Sequence, residues 1–291
     1  MLTQQILNGL AIGMAYALIA VGFSLVFGIL RLVNFSHGAL FAFGANVAIA
    51  FIGFQFGVIP AILLSILVTA LLGVVVDKLT LEPLRKKKST PTAALITTIG
   101  VSYIIQNLLV VWRGSESRHF PTIFPSGRLE VGDASVSIGL MMVAGVSLLM
   151  MLALVALVRY TKIGLGMKAV QQNPKAASLM GVNVNFIITF TFFLAGATAA
   201  IAGNLISAYY QVVSPMMGFE AGLRAFSAVV LGGIGSLPGA VAGGLIIGLS
   251  ETLAATFLGS AYRDAAAFVI LILVLIVRPT GLFGKKDVIK V

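Results

Sequence analysis

Apolar runs of around twenty residues recur along the whole chain, and about 20 such residues are what an α-helix needs to cross about 30 Å of hydrocarbon. In chain order the candidate segments are 6–30, 39–56, 58–76, 92–111, 138–158, 186–210 and 266–277. A further stretch, 219–257, is equally apolar but is interrupted by a Gly/Pro cluster at 232–239. Only 10% of the chain is charged, against roughly 25% in soluble domains, so no soluble surface can be assembled from it. A soluble enzyme, a disordered chain and a disulfide scaffold are excluded together. With no cysteine, thiol chemistry and cysteine-ligated zinc or iron–sulfur sites are excluded as well.

The net charge of +10 would suggest nucleic acid if it were evenly spread. It is not. Residues 77–92 carry five Lys/Arg, residues 159–185 carry Arg159, Lys162, Lys168 and Lys175 with no acid, and residues 278–291 carry Arg278, Lys285, Lys286 and Lys290. With Arg31 in a short turn, this side holds fourteen basic residues against three acids. The other side balances Arg113, Arg118, Arg128, Arg224 and Arg263 against Glu116, Glu130, Asp133, Glu220 and Asp264. The positive-inside rule makes the basic face cytoplasmic, where it also suits contact with anionic lipid. The charge therefore reports topology, with no nucleic-acid partner expected. Counting back from a cytoplasmic C-terminus, residues 219–257 must enter and return, as two short spans or a hairpin turning at 232–239. The N-terminus then lies outside. The expected fold is all-α, a single polytopic domain over 1–291 of about eight membrane segments with a Gly-rich broken or re-entrant hairpin. The start lacks a basic n-region and a small-residue cleavage site, so no cleavable signal peptide is expected. The polar loop 112–137 is too short for a domain, which makes the chain one part of a larger assembly.

Small residues four apart (Gly9 and Gly13, Gly239 and Gly243, Gly244 and Gly248) let helix backbones approach closely in lipid. In the basic loop, Asn173 and Pro174 open a complete short helix over 173–181. Asn173 can cap the free amides, Pro174 suits the first position and Gly181 ends it. Ala176, Leu179 and Met180 then share one face. That face either packs on the chain's own bundle or bilayer, or docks a cytoplasmic partner, with Ala176 and Ala177 allowing close approach. Glu251 lies in an apolar run, and an intramembrane carboxylate is a functional hypothesis by default. The alternative is a structural hydrogen bond to a neighbouring helix. His37 reads as a helix-end hydrogen-bonding residue, and no second histidine or acid nearby completes a metal site. Two backbone breaks, Asn34-Phe35-Ser36-His37-Gly38 and Gly232-Gly233-Ile234-Gly235-Ser236 through Gly239, are tolerable at membrane depth only if buried in protein or lining a wet cavity. One break in each half, followed by Gly38-Ala39 and Gly239-Ala240, suggests the internal repeat of transporters. Asn34, Ser36, His37, Gly38, Gly232, Gly233, Gly235, Ser236 and Glu251 are thus the candidate path or break residues. The G-x-G-x-x-A pattern at Gly164–Ala169 lacks the preceding strand and following acid of a dinucleotide site, and no Walker A motif occurs.

The motifs Asn8-Gly9, Gly13, Tyr16-Ala17-Leu18, Gly22, Phe27-Gly28 and Asn34–Gly38 resemble the start of branched-chain amino acid ABC transporter permeases, H-type. Residues Ala169, Asn173-Pro174-Lys175-Ala176-Ala177 and Gly181-Val182-Asn183 are similar to that family's cytoplasmic coupling segment. Gly232-Gly233-Ile234-Gly235-Ser236, Gly239–Gly244, Gly248 and Glu251 are similar to its C-terminal signature. Ser36 stands where the family usually has Ala, and Lys168 where Arg is common. The resemblance spans nearly the whole chain. It implies a permease fold similar to that of ribose-type importers, paired with a second, M-type permease, two cytoplasmic ATPases and a periplasmic binding protein. ATP and Mg would sit on the ATPases, with no cofactor in this chain. Lys168, Asn173, Pro174, Ala176, Ala177, Leu179, Met180 and Gly181 would form the coupling site. Rival readings are a related permease for urea, amides or another small polar solute, and a stand-alone secondary transporter or channel. The latter needs ion-coupling groups in the membrane, where Glu251 stands out alone in sequence. An export component or scaffold needs no paired breaks, and an intramembrane enzyme lacks a spaced carboxylate pair.

Overall fold

The computed structural model describes residues 2–30, 32–87, 89–131 and 134–284. Arg31, Lys88, Asp133, Lys285, Lys286 and Lys290, which entered the charge pattern, lie outside the described residues, as does the side chain of Asp264. Twelve α-helices are described: α1 Leu2–Leu30, α2 Ser36–Gly53, α3 Val58–Val76, α4 Glu82–Lys86, α5 Pro91–Arg113, α6 Ile138–Tyr160, α7 Lys162–Gln172, α8 Pro174–Leu179, α9 Val184–Tyr210, α10 Met217–Gly232, α11 Leu237–Phe257 and α12 Arg263–Val277. A π-helical turn, Asp77–Leu81, joins α3 to α4 without a break, and a 3-10 turn, Ser260–Tyr262, leads into α12. Eight of the resulting rods are long and apolar enough to cross a membrane. The expected all-α polytopic fold is the one found. The stretch 219–257 is a hairpin: α10, at sixteen residues, is only about 24 Å long, and the chain turns between Gly232 and Leu237 before α11.

The helices start where the sequence supplies caps. Thr90 accepts the Ala93 amide ahead of Pro91, Thr161 accepts that of Gly164, Asn183 that of Phe186 and Ser236 that of Gly239. Such side-chain oxygens satisfy amides that the first helical turn leaves free. The sequence reading missed four short strands. β1 (Arg118–His119) pairs with β4 (Val212–Val213), and β2 (Arg128–Val131) with β3 (Ala134–Ser137), both antiparallel. They form two small ribbons where the polar loop folds back across the bundle end.

That end also holds the start of α1, where Gln4 Nε2 donates to the Ser135 carbonyl at 3.2 Å. The opposite end gathers α7, α8 and the residues after α12. There the Leu282 and Phe283 amides donate to the carbonyls of Leu231 and Gly232, both at 2.9 Å. The segment Asp77–Arg85 is tied to the same end through Thr189 near the start of α9. The described basic residues of the three Lys/Arg-rich loops therefore share one end of the molecule.

Helices α1, α2, α9, α10 and α11 make the centre, while α3, α5, α6 and α12 are peripheral. Two of the expected glycine pairs, Gly9/Gly13 and Gly244/Gly248, form the α1–α11 seam, while Gly239 and Gly243 face α10: a Cβ on Gly248 would stand 2.3 Å from the Gly13 Cα, and one on Gly244 2.4 Å from the Ala17 amide nitrogen. Both distances are impossible for a real side chain, so backbone contact holds this seam.

Candidate functional site

The basic loop folds into two helices, of which the sequence reading found the second. α7 was missed, although Ile163, Met167 and Val170 recur at helical spacing behind the Thr161 cap. Met167 and Val170 are buried against the bundle. α8 is the capped helix anticipated at 173–181, shorter by its last two residues. Asn173 Oδ1 accepts the amides of Lys175 and Ala176 at 3.0 and 3.1 Å, and Gly181 leaves the helix at φ +84°. Of its side chains Ala177 alone is buried. Leu179 and Met180 are 89% and 84% exposed, and Ala176 is exposed beside them. The apolar face therefore does not pack on the chain's own bundle. Lys168 and Gly235 line one small cavity together with Gly28 and Gln171. The base of the loop thus sits against the turn of the α10–α11 hairpin.

The break before α2 lies inside the bundle. Ser36 and His37 are fully buried and Asn34 nearly so. His37 Nε2–H donates to the Ile19 carbonyl at 3.1 Å. Ile19 lies eleven residues before the end of α1, so α2 begins about 16 Å back from that end. The unpaired backbone is served locally. Asn34 Oδ1 accepts the Ser36 amide at 3.1 Å and the Ser36 hydroxyl at 2.6 Å. Thr98 of α5 accepts the Phe35 amide at 3.3 Å. Gly38 in the first turn of α2 meets α10 directly: its Cβ would fall 2.3 Å from the Gly218 carbonyl oxygen and 2.9 Å from the Gly222 Cα. The second break is closed in the same manner, with a Gly232 Cβ reaching 1.9 Å from the Gly239 carbonyl oxygen. Asn34, Ser36, His37 and Gly38 are thus packed in protein, as broken backbone at this depth requires.

Glu251 is 2% exposed, and the structure gives it partners from neighbouring helices that the sequence reading did not name. Tyr16 Oη donates to Oε2 at 2.9 Å, and Arg224 Nε to Oε1 at 3.1 Å. Arg224, counted on the non-cytoplasmic side of the charge balance, belongs to α10, its side chain only one-fifth exposed. Helical spacing places it four residues after Glu220, 3.6 Å away. The Phe219–Phe257 run is interrupted by an arginine whose countercharge comes from the returning helix, a pairing invisible until the hairpin is folded. A second buried pair was also missed. Asp77, fully buried, accepts from Arg85 Nη1 at 2.6 Å and from Thr189 Oγ1 at 2.8 Å. Among the described residues no group of three or more acids and histidines converges to hold a metal ion.

Two adjoining cavities open beside the start of α10, sharing Phe219 and Leu223. One, of about 250 Å³, is walled by α5, Phe35, Gly218 and Gly222; the other, of about 270 Å³, by Glu220, Arg224, Ser227 and two residues of α12.

A close-packed bundle of helices long and apolar enough to cross a membrane, with a buried break before α2, a hairpin of α10 and α11 and an exposed capped helix at its basic end, has the make-up of a multi-pass membrane permease. Residues 5–277 match the family described as branched-chain amino acid transport system / permease component, and the chain belongs to that family. It is 38% identical to the high-affinity branched-chain amino acid transport system permease protein LivH of Escherichia coli (strain K12), over 99% of this chain and 97% of that one. The corresponding protein BraD of Pseudomonas aeruginosa is 37% identical over the same shares. The ribose import permease protein RbsC of Haemophilus influenzae is 30% identical over 97% of this chain and 87% of its own, in keeping with the expected likeness to ribose-type permeases.

Proposed function

We propose that this chain is the H-type permease subunit of a binding-protein-dependent ABC importer of the cytoplasmic membrane, forming half of the translocation path for leucine, isoleucine and valine. A second, M-type permease supplies the other half, and a binding protein delivers solute from outside. Two ATPases, carrying ATP and Mg, seat on the basic end. The observation that carries the coupling role is the near-complete exposure of Leu179 and Met180 on a capped helix. Apolar side chains held out from a rigid, low-entropy helix fit a groove on a partner better than they fit water. The charge asymmetry supports an external N-terminus and a cytoplasmic C-terminus.

The test is ATP-driven uptake of labelled leucine by the reconstituted complex. Leu179→Asp or Met180→Asp is expected to lower uptake at least about tenfold, a loss of about 1.4 kcal/mol or more in coupling, while the chain still inserts and binds its permease partner. Unaltered uptake in both variants would remove the docking role. Transport of urea or short amides in place of leucine would support the rival solute class.

A further inference from the structure

The outward faces of α3, α6 and α12 are what lipid requires: Leu, Ile, Val and Met. Helix α5 departs from that pattern. Its buried line is Ala94, Thr98, Ile105 and Leu109. Of the remaining surface, Ile104, Leu108 and Val111 form one apolar strip, whereas Ser102, Tyr103, Gln106 and Asn107 form another arc at i, i+1, i+4 and i+5. Ser102 and Tyr103 stand at least ten residues from either end of α5, about 15 Å into the membrane. A polar strip at that depth is costly to set against hydrocarbon, and its amide nitrogens find partners within the chain, Gln106 Nε2 donating to Met216 Sδ and Asn107 Nδ2 to the Tyr103 carbonyl, both at 2.8 Å. Ser102, Tyr103 and Gln106 of the strip, with Ile99 of the same helix, border the cavity of about 250 Å³ beside α10. Opposite Ser102, Tyr103 and Gln106 stand Phe35, Phe219 and Leu223, and the floor is the glycine contact that lets α2 begin beside α10.

We infer that the groove between α5 and α10 is the surface this chain presents to the moving solute, and that it receives a small zwitterion with an aliphatic side chain. The inference rests on the import function proposed above. The hydroxyls of Ser102 and Tyr103 offer both donors and acceptors to the charged end of such a solute, and Gln106, whose Nε2 donates to Met216 Sδ, adds its Oε1 as an acceptor. The Phe35, Phe219 and Leu223 wall accepts the apolar end. The cavity is below the roughly 300–1,000 Å³ of drug-sized pockets, which suits a solute of amino-acid size. Of these residues only Phe35, in the break before α2, was singled out from the sequence.

The absence of cysteine makes the test direct, since any thiol reaction on this chain reports the introduced residue. Ser102→Cys, which changes little in size, Gln106→Cys and, as a lipid-facing control, Leu149→Cys (67% exposed in the parent) are placed in the complete complex in proteoliposomes. Each is treated with a charged methanethiosulfonate, and the mass of this chain is read. The expected result is modification at 102 and 106 but not at 149, slowed severalfold by leucine-loaded binding protein with ATP. If the complex imports leucine but 102 and 106 stay unmodified, a partner helix or lipid fills the groove and the inference fails. Modification that leucine does not slow also overturns it. A complex that imports no branched-chain amino acid defeats the functional reading itself, a result distinct from both.

Discussion

A carboxylate as buried as Glu251 persists among apolar helices because Tyr16 and Arg224 meet both of its oxygens. Removing one side of a buried ion pair costs about 3–5 kcal/mol, whereas replacing both sides with apolar groups is often neutral. Glu251→Leu is therefore expected to reduce the yield of assembled complex from detergent several-fold. Glu251→Gln, which still accepts from Tyr16, should lose less. The double variant Arg224→Leu/Glu251→Leu should recover most of the yield if the pair is architectural. A double variant with full yield but no uptake would instead assign the pair to transport. The residue scale was also the least legible one. Glu251 was conspicuous in an apolar run, but its partners come from α1 and α10, and no local pattern connects positions 16, 224 and 251. Asp77, Arg85 and Thr189 were hidden for the same reason: the pair looked like part of a charged loop, while the π-helical turn carries it into the protein.

At the scale of single elements the reading depended on whether the signal was local. The α8 helix was legible because Asn173, Pro174 and Gly181 are start and stop residues acting within one turn. The structure adds its orientation, which spacing could not give: Ala177 inward, Leu179 and Met180 outward. Asn173→Ala removes the acceptor for two amides of a six-residue helix, at a cost of about 1 kcal/mol. Uptake should fall several-fold relative to ATP hydrolysis with assembly unchanged, and Asn173→Asp, which keeps the acceptor, should restore it. Equal ratios in all three proteins would show that the cap does not matter for coupling. The break before α2 was legible as a break, but not its depth. That depth depends on Thr98 from α5 and the Ile19 carbonyl from α1, both remote in sequence. The strands β1 to β4 were missed because two- to four-residue ribbons have too few alternations to register as strands.

For the whole molecule, hydropathy and length sufficed to give an all-α membrane bundle, since lipid leaves few alternatives. The glycine spacing pointed to close helix packing, and the structure places two of the pairs, Gly9/Gly13 and Gly244/Gly248, in the α1–α11 seam. Gly248→Leu is expected to abolish recovery of the assembled complex, because its Cβ alone would overlap Gly13 at 2.3 Å; extraction at parental yield would show that α1 and α11 can separate without loss. Counting charges by side could not show that Arg224 is held by the returning helix, since that needs the hairpin folded.

The stretch after α12 has a further consequence for biogenesis. The last carbonyls of α10, Leu231 and Gly232, are bonded by the Leu282 and Phe283 amides, some fifty residues later in the chain. A helix that depends on so late a segment for its terminal hydrogen bonds cannot be finished as it leaves the ribosome. The hairpin must wait, partly unsatisfied, until α12 has been threaded and the chain has come back beneath it. Completion of α10 is thereby delayed until synthesis of this chain is nearly finished.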